Sequence, residues 1–236
     1  MKIVSWNCNG ALRKKFEYLA DLDADLFIIQ ECENPAASKH PGYRQWAHHH
    51  LWIGDTKNRG LGIFSTKNHS LLPLPWSDTY MDHRVKYFLP CLVNREFTLL
   101  AVWTHQNNSP TFGYIGQFWK YLQVNKAHFS NLLIAGDFNS NAIWDTWDRW
   151  WSHSDVVREL GEMGIKSLYH ALTREEQGKE TNPTYYHHKK PERPYHIDYL
   201  FGSPVFKNSL TKLEIGESDR WLRLSDHLPI IGEFKK

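Results

Sequence analysis

The residues of this chain best placed to do chemistry lie in Leu132-Leu133-Ile134-Ala135-Gly136-Asp137-Phe138-Asn139-Ser140-Asn141, an apolar run that stops on a glycine and then presents an acid and two amides. Asp137 and Asn139 stand two apart, so extended geometry would send both side chains to one face. One brings a charge, the other a neutral donor and acceptor. Such a pair suits a phosphate site. The carboxylate can align or deprotonate a nucleophile while the amide holds a phosphoryl oxygen without adding negative charge. Taken alone, the same residues also describe a strand that closes in an Asx turn.

The pattern of apolar run followed by polar groups recurs along the chain. Residues 2–6 read as a strand that ends in the turn Asn7-Cys8-Asn9-Gly10, again with two amides two apart. Residues 25–31 read as a buried strand that ends on Gln30-Glu31. A carboxylate at the end of a wholly apolar strand is costly without compensation, and a bound cation would supply it. Residues 97–104 run into His105-Gln106-Asn107-Asn108. His196-Ile197-Asp198-Tyr199-Leu200-Phe201 reads as a strand with an acid in its interior, which needs a partner. Ser225-Asp226-His227 precedes a last apolar strand over residues 228–231. This inventory is what metal-assisted phosphoester hydrolysis requires: a base for the attacking water, donors or positive groups for the phosphoryl charge, and a metal or acid for the leaving oxygen. Mg²⁺ prefers oxygen ligands and commonly takes only one or two protein carboxylates, so Glu31 fits as its anchor.

Several elements must position these groups. The run before Gly136 is apolar on both faces, as expected of a strand covered from both sides. Leu12, Phe16 and Leu19 share one helical face and predict a helix of about three turns. Residues 32–58 lack periodicity and read as loop with one strand around residues 43–47. The adjacent His48-His49-His50 cannot all face one ion in regular structure. Residues 59–65 form a strand whose glycines imply close backbone packing, and residues 87–93 form another. Ile115, Phe118, Trp119 and Leu122 mark a helix. Trp144, Trp147, Trp150 and Trp151 recur at near-helical spacing, a core stripe or alternatively a surface on which bases stack. Val156, Val157, Leu160 and Met163 mark a further helix, with Ser154 as cap and Gly164 as stop. Residues 177–194 read as an exposed loop whose Lys189, Lys190 and Arg193 could contact a polyanion.

With 41% hydrophobic and 14% aromatic residues, the 236-residue chain can bury a sizeable core, as one large or two small domains. A formal charge of +2 is too mild for a protein that coats nucleic acid but does not oppose an anionic substrate. Cys8, Cys32 and Cys91 are odd in number with no CxxC spacing, which points to a reducing compartment. The first residues lack the apolar core of a signal peptide, and no stretch of about 18 apolar residues occurs. The expectation is a soluble cytoplasmic protein.

Taken in order, Trp6-Asn7-Cys8-Asn9-Gly10, Gln30-Glu31, Gly136-Asp137-Phe138-Asn139, His196-Ile197-Asp198-Tyr199 and Ser225-Asp226-His227 resemble the motifs of the endonuclease/exonuclease/phosphatase superfamily, the fold of DNase I and exonuclease III. The resemblance spans residues 5–231. It implies one domain, 1–236, folded as a four-layered α/β/β/α sandwich of two mixed sheets flanked by helices. It also implies that Glu31 is the principal ligand of Mg²⁺ (or Mn²⁺) with Asn7 beside it and Asp226 approaching the metal. Asp137 would orient or deprotonate water, and Asn139 would hold phosphate. His227, fixed by Asp198, would contact the scissile phosphate or act as base. His105 falls where the family has His or Tyr, and Asn108 would help bind phosphate. Asn9 departs from the pattern, standing where several abasic-site endonucleases have Asp, which weakens a second metal position. The reading is a monomeric metal-dependent phosphodiesterase, a nuclease hydrolysing DNA or RNA by water attack, with nucleic acid as partner and no membrane. The alternative is a phosphatase acting on a small phosphorylated metabolite or lipid headgroup. A third reading, a catalytically silent binder of nucleic acid or protein, sits poorly with the retention of Glu31, Asp137, Asp198, Asp226 and His227.

Overall fold

Strands that are apolar on both faces need two covers, and the chain supplies them with a second sheet on one side and helices on the other. The computed structural model describes residues 1–107, 109 and 111–235. One six-stranded sheet runs in the order Leu210–Ile215, Ile230–Phe234, Lys2–Asn7, Leu26–Cys32, Arg59–Ser65, His50–Thr56. The other runs Lys166–Ser167, Asp198–Gly202, Leu132–Asp137, Phe97–Trp103, Phe88–Val93, Leu71–Pro73. Both are mixed. Lys2–Asn7 is parallel to Leu26–Cys32 and antiparallel to Ile230–Phe234. Leu132–Asp137 is parallel to Phe97–Trp103 and antiparallel to Asp198–Gly202.

The sheets meet face to face, with Ile3, Ile28 and Ile63 of the first packed in one core with Leu99, Ala101, Leu133 and Leu200 of the second. The alternate residues point outward. Val4, Trp6, Phe27 and Ile29 lie against Phe16, Leu19 and Tyr43, from the helices Phe16–Ala20 and Pro41–Trp46. Leu100, Val102 and Ile134 lie against the helices Ile115–Asn125 and His153–Glu162. The architecture is the four-layered α/β/β/α sandwich that the resemblance implies. Among the described residues no helix is long and apolar enough to cross a membrane.

Local details differ from the sequence reading where a tertiary contact outweighs periodicity. The expected three-turn helix is two short pieces, Leu12–Lys14 and Phe16–Ala20, interrupted at Lys15 (φ −130°). Glu33 takes the Leu12 and Arg13 N–H groups, and the Lys15 ammonium reaches back to the Cys8 carbonyl at 2.6 Å. Residues 43–47 belong not to a strand but to the helix Pro41–Trp46 and its C-cap, Ala47. Pro41 opens it and His40 Nδ1 accepts the Tyr43 N–H at 3.1 Å. The strand of that stretch is His50–Thr56, hydrogen-bonded to Arg59–Ser65. The close packing expected of its glycines is present: a Cβ at Gly60 would lie 2.2 Å from the Ile53 carbonyl oxygen.

The tryptophan stripe is neither helical nor a core stripe. It holds only the turn Ala142–Trp144, and Trp144, Trp147 and Trp150 are exposed while Trp151 alone is buried. The helix His153–Glu162 is capped by Ser152, not Ser154, because Ser152 and Asp155 form a reciprocal capping box while the Ser154 N–H goes to Asp145. Gly164, at φ +78°, follows its end. Asp198 opens its strand instead of lying inside it, because the Ile197 and Asp198 N–H groups both turn to Thr184 Oγ1 at 3.0 Å. The last strand begins at Ile230, since the Leu228 N–H is taken by the Thr184 carbonyl.

Candidate active site

The polar ends of the central strands converge at one edge of the sandwich. Asp137 closes the central strand of the second sheet, paired in register with Asp198. Gly136 lets that strand pass its neighbour, since a Cβ there would stand 1.8 Å from the Val102 carbonyl oxygen. Asn7 closes the first strand of the other sheet. Its Nδ2 donates to Asp137 Oδ2 at 2.9 Å and to Glu31 Oε1 at 3.3 Å, so one amide ties the two sheets' acids together. Glu31 sits at a bulge between Gln30 and Cys32 with φ +61°. A bulge re-aims a side chain that the regular pleat would send elsewhere. Its second oxygen holds the Arg59 guanidinium.

Asn139 and Asp137 meet although the strand ends between them. Asn139 adopts φ +45°, donates its N–H to Asp137 Oδ1 at 2.8 Å, and reaches Asp137 Oδ2 at 3.1 Å with its amide. The Asx-turn reading and the shared-face reading therefore describe one arrangement. His227 arrives from the far end of the chain. Its N–H and the Asn7 carbonyl are both bound by Ser225 Oγ, and the Trp6 indole N–H donates to the His227 carbonyl at 2.9 Å. Its Nδ1 lies 2.9 Å from Asp198 Oδ2, and its Nε2 lies 3.9 Å from Asp137 Oδ2. The Asp198 hydrogen bond fixes the tautomer and ring orientation of the histidine.

Burial sets the acidity of this group. Desolvation raises Asp137 to about 7 against the pull of His227, with Asp198 adding to the rise. Burial works against charge on His227, but the Asp198 and Asp137 carboxylates outweigh it and hold the imidazole up at about 10. Burial thus favours the protonated form of Asp137, while the two carboxylates favour charge on the imidazole they flank.

Among the described residues, Asp137, Asp198 and His227 bring potential ligand atoms within 4.8 Å of one another, close enough to chelate a divalent ion. The His227 Nδ1 is already engaged by Asp198, however, and the less buried oxygen donor beside this group is Glu31, hydrogen-bonded to Asn7. Asp226 stands one residue further out, taking the Asn9 amide at 3.0 Å while the Asn9 N–H goes to Asn7 Oδ1. Glu31 takes a cation even here, as the Arg59 guanidinium. An all-oxygen donor set with carboxylates fits Mg²⁺ or Mn²⁺.

The remaining sequence candidates fall around this centre. His105 is exposed at the end of Phe97–Trp103, and partial burial and the Arg59 charge lower its pKa. It makes no hydrogen bond to Asp137 or His227 among the described residues. Asn108 lies outside the described residues. Lys189, Lys190 and Arg193 are exposed on the loop between the paired segments Tyr185–Tyr186 and Pro194–Tyr195. Tyr185 anchors that loop to the site, bridged to His227 with ring centroids 4.6 Å apart. Sequence reasoning missed Arg59, Thr184 and Tyr185. Arg59 carried only the signal of a cation opening a glycine-rich strand, and the other two lay in an unpatterned loop.

Solved structures with the same fold include a 3'-5' exonuclease (NExo) from Neisseria meningitidis, at 20% identity and a TM-score of 0.75, with all of both chains covered. NExo described as a 3' phosphatase bound to product DNA hairpin aligns at 20% identity and a TM-score of 0.68 over the whole of both chains. An AP endonuclease from Archaeoglobus fulgidus aligns at 16% identity and a TM-score of 0.69, again over all of both chains. No curated protein gives a significant match. The model of the Endonuclease/Exonuclease/phosphatase family matches residues 4–227, and with the sandwich and the converging strand ends this establishes that the chain belongs to that family.

Proposed function

We propose that this chain is a divalent-metal-dependent phosphodiesterase that cleaves nucleic acid by water attack, working as a monomer and as one domain over residues 1–236. The observation that carries the proposal is the single amide of Asn7 holding Glu31 on one side and Asp137 on the other, with His227 3.9 Å beyond Asp137. Glu31 and Asn7, with Asp226 behind them, are the residues that would hold Mg²⁺ or Mn²⁺. When bound, such an ion would neutralise phosphate charge as a Lewis acid. Asp137 orients the water and takes its proton, held in place by Asn7 and by the Asn139 N–H. The Asn139 amide is placed to donate to a phosphoryl oxygen. His227, with Nδ1 fixed by Asp198, directs Nε2 to the same phosphate and donates rather than accepts.

A polymeric substrate is supported by the exposed Lys189, Lys190 and Arg193 on the loop that Tyr185 ties to His227, and by the similar NExo structure bound to product DNA hairpin. The test is hydrolysis of single- and double-stranded DNA, RNA and a chromogenic phosphodiester with Mg²⁺, Mn²⁺ or EDTA, beside Glu31→Ala. The expected result is metal-dependent cleavage of a polymer, lost in EDTA and in the variant. Turnover of small phosphomonoesters alone would replace this reading with a metabolite phosphatase, and binding without turnover with a silent binder.

A further inference from the structure

Beside Asn139 the surface opens into a cavity of about 270 Å³, walled by Tyr114, Trp144 and Trp151, with Asn139, Asp145 and Arg149 at its polar edge. Trp144 also walls a second hollow of about 230 Å³, which reaches Asn139 from the side of Tyr185 and Tyr195. The indole therefore stands as a partition with Asn139 bordering both hollows. It is 48% exposed, an unusual place for so large an apolar group, and rests at a tilt of 43° against Tyr195 with centroids 5.1 Å apart. The opposite wall is fixed. Trp151 stacks on Phe112 at 4.0 Å, donates to the Thr111 carbonyl, and leaves no room for a Cβ at Gly116. Tyr114 lies at φ +52°, ψ −114°, a conformation that side chains larger than glycine rarely adopt.

The first cavity, with aromatic walls and a polar rim, offers the surfaces that one planar heteroaromatic group can use. It lies just under the common range for small-ligand pockets, about 300 Å³ and upward. Its aromatic walls offer stacking, and its rim offers the Arg149 donors and the Asp145 acceptors. Asp145 already receives the His153 and Ser154 N–H groups, which holds its carboxylate at the rim. Because Asn139 borders both the cavity and the reaction centre, an occupant lies within about one nucleotide of the phosphate being attacked.

We propose that this cavity is a base-binding subsite that admits one unpaired nucleobase next to the scissile phosphate, and that it makes single-stranded nucleic acid the preferred substrate. The inference rests on the phosphodiesterase reading above and adds the state of the strand. A base stacked and paired in a duplex cannot enter a hollow between aromatic walls without leaving its stack, whereas a single strand presents it free.

The test compares the intact chain with Trp144→Ala, Trp144→Phe and Trp147→Ala on single-stranded and blunt duplex oligonucleotides, in DNA and RNA forms, and on a chromogenic phosphodiester. A further set of single strands carries one abasic spacer at successive positions. Expected for the intact chain are a kcat/KM that favours the single strand over the duplex and a loss when the spacer falls next to the cut. Trp144→Ala should lower single-strand kcat/KM by about tenfold, mostly through KM, and remove the spacer effect. Trp144→Phe should restore most of the rate. Trp147, 98% exposed and outside the cavity, should be silent when replaced. An equal loss on the chromogenic ester, no loss in Trp144→Ala, or a preference for duplex would overturn the subsite while leaving the nuclease reading intact. Absence of any oligonucleotide cleavage by the intact chain would overturn both.

Discussion

Asn7 decides how close the acids of the two sheets can come, because its one amide nitrogen serves both Glu31 and Asp137. Without that donor, two carboxylates would face each other across the gap. Asp137→Asn is expected to lower kcat by about 10²–10⁴ with little change in KM, since it removes the proposed proton acceptor and keeps the shape. Asp198→Asn should cost a similar factor through the wrong histidine tautomer. Steady-state kinetics with far-UV circular dichroism would check both, and near-normal rates in either would refute the assigned roles. Glu31 and Asp137 were legible in the sequence because each follows an apolar run, and Asp198 because it adjoins one, where a charge needs a reason. Arg59, Thr184 and Tyr185 were not, because each acts through a partner at least 13 positions away in the chain. Only the closed fold supplies those partners.

At the scale of elements, the strands were read well and the segments around them less so. Leu132–Asp137, Arg59–Ser65 and Phe97–Trp103 carry apolar side chains on both faces or glycines at a close approach, and both signals are local. Pro41–Trp46 carried a helix signal too, proline after a capping histidine, which outweighs the β-prone Tyr43 and Trp46. The tryptophan stripe misled because aromatic spacing is ambiguous without knowledge of what lies opposite. Two substitutions test the elements. Gly136→Ala should destabilise by about 3 kcal/mol or more, or prevent folding, because the Val102 backbone blocks the new methyl. Ser152→Ala should cost about 1 kcal/mol by removing a cap. Urea denaturation would measure both, and a neutral Gly136→Ala would contradict the close approach of the paired Val102 backbone.

The whole molecule carries a buried polar layer behind the site that should make it sensitive to acid. His153 is buried between Ser140 and Gln177, and burial lowers its pKa to about 4. The unfolded chain therefore binds a proton that the folded chain refuses between about pH 6.5 and 4, and stability must fall as pH falls through that window. The expected loss is about 2 kcal/mol between pH 7 and pH 5 from this residue. Burial opposes charge on Glu180, but His170 and Asn141 hold its pKa down at about 2, so its contribution is lost only in stronger acid. His153→Gln should flatten the urea midpoint between pH 7 and pH 5, and an unchanged slope would assign the sensitivity elsewhere.

The Trp6 indole and the Asn7 carbonyl are bound by His227 and Ser225, groups more than 200 positions away. During synthesis on a ribosome, His227 emerges after Glu31, Asp137 and Asp198, so a nascent chain carries those acids before the imidazole that joins them. Recovery of activity during refolding should then follow the pairing of the first and last strands, later than most of the secondary structure. Catalysis would serve as a clock for the final step of folding.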